Sequence, residues 1–169
     1  MADLVENLLE LSRLQSGGAT LRRDWNSPVE LVAAALRQRG LALGDRPIDL
    51  EIPEDAPLVW CDGVLVERVL VNLLDNASRH TPPGTRLRAW TESVNGSYRL
   101  GLDDEGPGFV ERAIAEGRRS GIGLSLCRSI AIAHGGRMEI SPAPGGGARA
   151  VLVLPQDRIQ PDPPEEDAG

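Results

Sequence analysis

Residues 63–80 read GVLVERVLVNLLDNASRH, and this stretch sets the frame for the rest of the chain. Val66, Val69, Leu70, Leu73 and Leu74 recur three and four residues apart, the spacing of one buried helix face. Asp62 stands just before the run, where its carboxylate accepts a hydrogen bond from a first-turn N–H. A long helix from Gly63 to about His80 follows. On it Asn72 and Asn76 are four apart and share a face, with Arg79 three further on. Two amides and a guanidinium on one face suit a metal–triphosphate, amide oxygen to metal and guanidinium to phosphate. A pair of solvated amides on an exposed face would read the same way.

Downstream, Pro82-Pro83-Gly84 marks a turn. Two alternating segments, 86–93 and 97–103, flank Asn95-Gly96, a strong hairpin signal. The second leads into DEGPGF at 104–109. There Asp104 ends a strand, where it can accept from an exocyclic amine, and Gly106 and Gly108 allow close approach of backbone to a flat ligand. A plain turn has the same composition. Gly121-Ile122-Gly123-Leu124 then opens a helix that ends at Gly135-Gly136, so its first N–H groups form a candidate anion site. A strand over 137–140, a glycine loop at 145–147 and a strand over 148–154 complete the pattern.

Upstream, Leu4, Leu8, Leu11 and Leu14, widened by Val5 and Leu9, give an amphipathic helix over 3–14 that stops at Gly17-Gly18. It needs a partner surface, whether the rest of the chain or a neighbour, because a dozen residues alone are marginal. A strand over 20–25 follows, then a helix with Ser27 as cap, Pro28 at its first position and Glu30 at its third, running to about Arg39. Segments 48–52 and 58–61 read as short strands. The order shows no regular βαβ alternation. It predicts an α+β fold, a two-layer α/β sandwich with one mixed, largely antiparallel sheet covered by helices on one face.

Bulk properties narrow the function. The net charge of −7 argues against a nucleic-acid binder. Cys61 and Cys127 lack metal spacing and read as buried free thiols, and the two histidines, His80 and His134, are too few and too far apart for a zinc site. No apolar run is long enough for a membrane span and no signal peptide is present, so the expectation is a cytoplasmic, soluble chain without membrane contact. The Pro-rich acidic residues 156–169 are expected to be disordered.

In combination the three motifs resemble the N, G1 and G2 boxes of the GHKL (Bergerat-fold) ATP-binding superfamily, which includes gyrase, Hsp90 and MutL. NLLDNASRHTPPGT and GLSLCRSIAIAHGGRMEI resemble sensor histidine kinases, and VERVLVNLLDNASRHTPPGT with PGGGARAVLVLP resembles the potassium-sensing Kdp-type group. The resemblance spans 19–155 as an ATP-binding catalytic domain, and residues 1–18 resemble the end of the second dimerisation helix. It implies ATP and Mg²⁺ as ligands. Asn76 is then the metal ligand, Asn72 and Arg79 touch phosphates, Asp104 takes the adenine amine, and Gly106 and Gly108 shape the adenine pocket. Gly121, Gly123 and Leu124 present N–H groups to phosphate. Hydrolysing members carry Glu where Asn72 stands. An amide is a very poor base, which favours transfer to a protein acceptor over hydrolysis. The implied partners are a histidine-bearing dimerisation domain of a homodimeric, membrane-anchored parent and a response regulator.

Two departures qualify this. The family's phosphoacceptor His-Glu/Asp motif is missing, so this chain is not expected to phosphorylate itself. The lid is short: only VERAIAEGRRS, residues 110–120, separates Phe109 from Gly121, although Arg118 and Arg119 could reach phosphates. A short lid covers less of a nucleotide. It leaves open a non-catalytic docking module, and a serine kinase of the anti-sigma type shares the same boxes.

Overall fold

Hydrogen-bonded caps and turns show why the chain breaks where it does. The computed structural model describes residues 2–17, 20–107, 122–156 and 158. Helix α1 spans Ala2–Gln15 and ends at Gly17, whose φ of 71° is the left-handed value glycine takes at low cost. Helix α2, Pro28–Leu43, starts on Ser27, whose side chain accepts from the Glu30 N–H. It continues past the expected Arg39 because Leu43 is buried, and it stops at Gly44, φ 59°. Helix α3, Gly63–His80, begins on the Asp62 carboxylate, which accepts from the Leu65 N–H. Helix α4 spans Ile122–Ala133.

The strands are β1 (Asp24–Asn26), β2 (Ile48–Glu51), β3 (Val59–Cys61), β4 (Leu87–Val94), β5 (Ser97–Asp104), β6 (Arg137–Pro142) and β7 (Ala148–Pro155). Five form one sheet in the order β2-β4-β5-β7-β6, with β2 parallel to β4 and the other pairs antiparallel. Asn95 and Gly96, φ 50° and 73°, make the two-residue turn between β4 and β5, whose positive φ values match the twist of the strands. Beside this sheet β1 and β3 pair antiparallel as a separate two-stranded ribbon, with Trp25 against Trp60 at 5.2 Å between ring centroids.

The expected two layers are present. The inward sheet face carries Leu87, Ala89, Tyr98, Leu100, Leu102, Leu152 and Leu154, which share one core with Leu31, Val32 and Ala35 of α2, with Val66, Val69, Leu70 and Leu73 of α3, and with Leu126 and Ile130 of α4. Cys61 and Cys127 are buried free thiols in this core, and burial pushes both up to about 12. The opposite face packs a small apolar cluster, Trp90, Val151 and Val153, beside a charged centre at Asp103. Arg149 donates to it twice at 2.7 Å, Arg88 at 2.8 Å and the Trp90 indole N–H at 3.1 Å. Arg149 also stacks over the Trp90 ring at 4.6 Å.

Arg46 locks α2 to α3. Its guanidinium donates to the Leu43 carbonyl at the end of α2 and to the Ser78 and Thr81 carbonyls at the end of α3, at 3.1, 3.1 and 3.0 Å. A cation bonded to carbonyls at two helix ends helps satisfy both ends and complements both dipoles. The tail residues 159–169 and the segment 108–121 lie outside the described residues.

Candidate nucleotide site

Helix α3 buries Val66, Val69, Leu70, Leu73, Leu74 and Ala77 and so turns Asn76 towards the sheet edge while Arg79 stays exposed at the rim. Asn76 reaches a narrow cleft that it shares with Asp104 from the end of β5 and Leu124 from the first turn of α4. Residues of all three sequence motifs therefore meet in one place. The remaining walls are apolar: Leu73 and Ala77 from α3, Leu102 from β5, Ile140 from β6, and the small Ala148 and Ala150 of β7. A narrow apolar slot with a carboxylate at one end and an amide at the other suits a flat heteroaromatic ring with an exocyclic amine. Among the described residues the half-buried Asn76 amide makes no hydrogen bond.

Backbone contacts hold Asp104 in position. It is 6 % exposed, and its Oδ1 accepts from the Gly106 N–H at 3.0 Å and the Ala148 N–H at 3.3 Å. Gly106 is required by close packing: a Cβ there would lie 2.4 Å from Cγ2 of Thr81, at the C-cap of α3. Gly147, φ +86°, passes so near β5 that a Cβ would stand 1.9 Å from the Asp104 carbonyl oxygen.

The other N-box amide behaves differently. Asn72 does not line this cleft. It faces a separate polar cavity of about 270 Å³ between α1, α2 and α3. Its Oδ1 accepts from Asn7 of α1 at 3.2 Å, and its Nδ2 donates to the Arg68 carbonyl at 2.9 Å. Gly123 touches it from α4, where a Cβ would be 3.1 Å from Asn72 Oδ1. Thus Gly123 fits close packing against α3. Gly108, Gly121, Arg118 and Arg119 lie outside the described residues.

Sequence reasoning missed the joint that aligns α3 with α4. His134, just past the end of α4, is 4 % exposed, and its Nε2 accepts from the Asp62 N–H at 3.0 Å while Nδ1–H donates to the Ile130 carbonyl at 2.7 Å. Asp62 in turn caps α3 and accepts from the Arg22 N–H at 3.0 Å. One carboxylate and one imidazole thereby join α3, α4 and the segment leading from α1. Burial is the main cause that holds the His134 pKa below its ordinary 6.5, with Arg23 adding to it and the Ile130 bond and Asp62 opposing. The AHGG turn and the Asp before the apolar run were visible, but nothing local links residues 72 apart in sequence. The Thr81, Ala148 and Ala150 contributions were missed for the same reason.

Residues 61–158 match the family described as histidine kinase-, DNA gyrase B- and HSP90-like ATPase. The chain is 36% identical over 166 residues to the sensor protein KdpD of Escherichia coli, covering 90% of this chain and 18% of that protein. To KdpD of Clostridium acetobutylicum it is 31% identical over 169 residues, covering 91% of this chain and 19% of that protein. It therefore spans about a fifth of the length of these relatives. Among solved structures it superposes on the Acinetobacter baumannii histidine kinase AdeS with a TM-score of 0.77 at 26% identity, covering 93% of this chain and 79% of that one. One residue from each of three motifs in one cleft, a matching family profile and relatives that are sensor proteins converge: the chain belongs to the histidine kinase-, DNA gyrase B- and HSP90-like ATPase family, as an ATP-binding catalytic domain of the sensor histidine kinase type.

Proposed function

We propose that this domain transfers the γ-phosphoryl of ATP to a histidine carried on a dimerisation helix, from which it passes to an aspartate of a response regulator. The cleft that joins Asn76, Asp104 and Leu124 is the observation that carries the reading. Adenine would lie in its apolar slot with its amine on Asp104, beside Gly106 and Gly108. The phosphates would run towards Arg79 and the N–H groups of Gly121, Gly123 and Leu124, with Asn72 as a further donor. Asn76 would hold Mg²⁺ through its amide oxygen, a hard donor suited to an ion that keeps most of its water and phosphate ligands. Bound there, the ion would offset phosphate charge. In the transfer an imidazole nitrogen bonds to the γ-phosphorus, the bond to the bridging oxygen breaks, ADP leaves and the imidazole gives up its proton. No general base stands at Asn72 to activate water instead.

Helix α1 fits the C-terminal end of a dimerisation helix. Leu4, Val5, Leu8 and Leu9 are 48, 56, 46 and 62 % exposed, and they would pack within a helical bundle of a homodimeric, membrane-anchored parent. The catalytic chemistry would take place on its cytoplasmic side, where ATP is. Among the described residues no helix is long and apolar enough to cross a membrane. The sensor-kinase relatives favour this reading over a docking module or a serine kinase. The test supplies the chain with a histidine-bearing dimerisation domain of a Kdp-type kinase and γ-labelled ATP. Acid-labile phosphate on that domain is the expected product, lost in Asn76→Ala. Acid-stable phosphate, or release of free phosphate alone, overturns the assignment.

A further inference from the structure

Thr81, the C-cap of α3, is 6 % exposed and does not itself line the cleft. Its two branches have separate tasks. The hydroxyl donates to the Ala77 carbonyl, one turn earlier on α3. The methyl meets the loop after β5, where it fills the space a side chain at residue 106 would need: a Cβ there would lie 2.4 Å from Cγ2 of Thr81 and 3.0 Å from its Cβ. The backbone is fixed as well, because Arg46 donates to the Thr81 carbonyl at 3.0 Å. Thr81 is thus tied to the ends of α2 and α3 while it presses on a loop that belongs to neither.

That loop orients Asp104. The Gly106 N–H is the nearer of the two backbone donors to Asp104 Oδ1, at 3.0 Å against 3.3 Å for the Ala148 N–H. The carboxylate is buried, so water does not readily replace a donor that moves away. We propose that Thr81 is a positioning residue for nucleotide recognition: its methyl sets the spacing between the end of α3 and Gly106, and through the Gly106 N–H it aims the Asp104 carboxylate at the exocyclic amine of the base. This rests on the nucleotide site proposed above. The same contact ties Asp104, at the end of β5, to the helix that carries Asn76. A hydrogen bond weakens steeply with distance and angle, whereas an apolar slot tolerates small shifts. A displaced loop therefore costs the contact to the amine before it costs the packing around the ring.

The experiment is calorimetric titration of the whole chain with Mg-ADP and with Mg-IDP, whose base carries a carbonyl in place of the amine, beside thermal unfolding of each variant. Thr81→Ser drops the methyl and keeps the hydroxyl. Thr81→Val keeps a methyl towards Gly106 and drops the hydroxyl, leaving the Ala77 carbonyl without that donor. Thr81→Ser should bind ADP about three- to tenfold more weakly, the scale of one misdirected hydrogen bond, with IDP changed by less than about twofold. Thr81→Val should hold ADP within about twofold although its melting temperature falls, so affinity and stability part company. Gly106→Ala drives a Cβ into the same contact from the other side and should also weaken ADP binding. Pairing it with Thr81→Ser makes room and should restore part of that loss, the 3.0 Å approach to Cβ of residue 81 remaining. Unchanged ADP affinity in folded Thr81→Ser, an equal loss for IDP, an equal loss in Thr81→Val, or no recovery in the pair overturns the proposal while leaving the nucleotide site intact. Failure of ADP to bind the unaltered chain overturns the nucleotide site itself.

Discussion

Gly101 shows how a single residue can matter for a reason its own neighbourhood hides. It interrupts the alternation of SYRLGLDD on the outward face of β5, and a Cβ there would stand 2.2 Å from the Trp90 ring on β4. The indole lies across the glycine to reach Asp103. Gly101→Ala is predicted to cost roughly 2 kcal/mol through overpacking, read as a lower urea midpoint with an unchanged slope. Asn76 and Asp104 were legible because their meaning is local, one a helix spacing and the other a strand end. Gly101, Gly106 and Gly147 were not, because the atoms that exclude a side chain belong to distant residues, Trp90, Thr81 and the Asp104 carbonyl. Asn72 was legible as a motif residue, but its orientation was not, since the Asn7 that holds it lies 65 positions away.

At the scale of elements, the helix starts were the most readable feature, and Ser27 and Asp62 cap where their side-chain chemistry requires. Asp62→Ala removes the cap of α3 and the acceptor for Arg22 together, and a loss of about 1–2 kcal/mol in thermal or urea unfolding is expected. His134 gives the joint a pH dependence. Its folded pKa is depressed, so at mildly acidic pH the unfolded chain binds a proton that the folded one resists. Stability should therefore fall as pH drops below about 6.5, until the folded imidazole also titrates. His134→Gln, with its amide oxygen in place of Nε2, should be less stable at neutral pH but lack this drop. A flat profile in the unaltered protein between neutrality and mild acidity contradicts a neutral, buried His134. Such joints are not written in helical periodicity, because they connect the end of one element to the start of another far away in the chain.

For the whole molecule, the two-layer α+β plan followed from the order of elements, but the strand order β2-β4-β5-β7-β6 and the separate β1–β3 ribbon depend on pairings no local pattern specifies. The charged centre on the outer sheet face was equally hidden. There burial alone would raise the Asp103 carboxyl, but hydrogen bonds from Arg149, Arg88 and Trp90 outweigh it and hold it below its usual 3.8. Its contribution is present above that usual value and is lost as pH falls through the lowered one. Asp103→Asn should cost roughly 2 kcal/mol near neutrality, the scale of hydrogen bonds to a charged group, and should reduce the acid sensitivity of unfolding. In the other layer α3, α4 and the sheet edge enclose the nucleotide cleft. Its most direct test is calorimetric titration of the chain with Mg-ADP beside Asn76→Ala and Asp104→Asn, both checked for native thermal unfolding. Saturable one-to-one binding by the unaltered chain is expected, with its loss or strong weakening in both variants. No binding at millimolar nucleotide, or equal binding by folded variants, would contradict it.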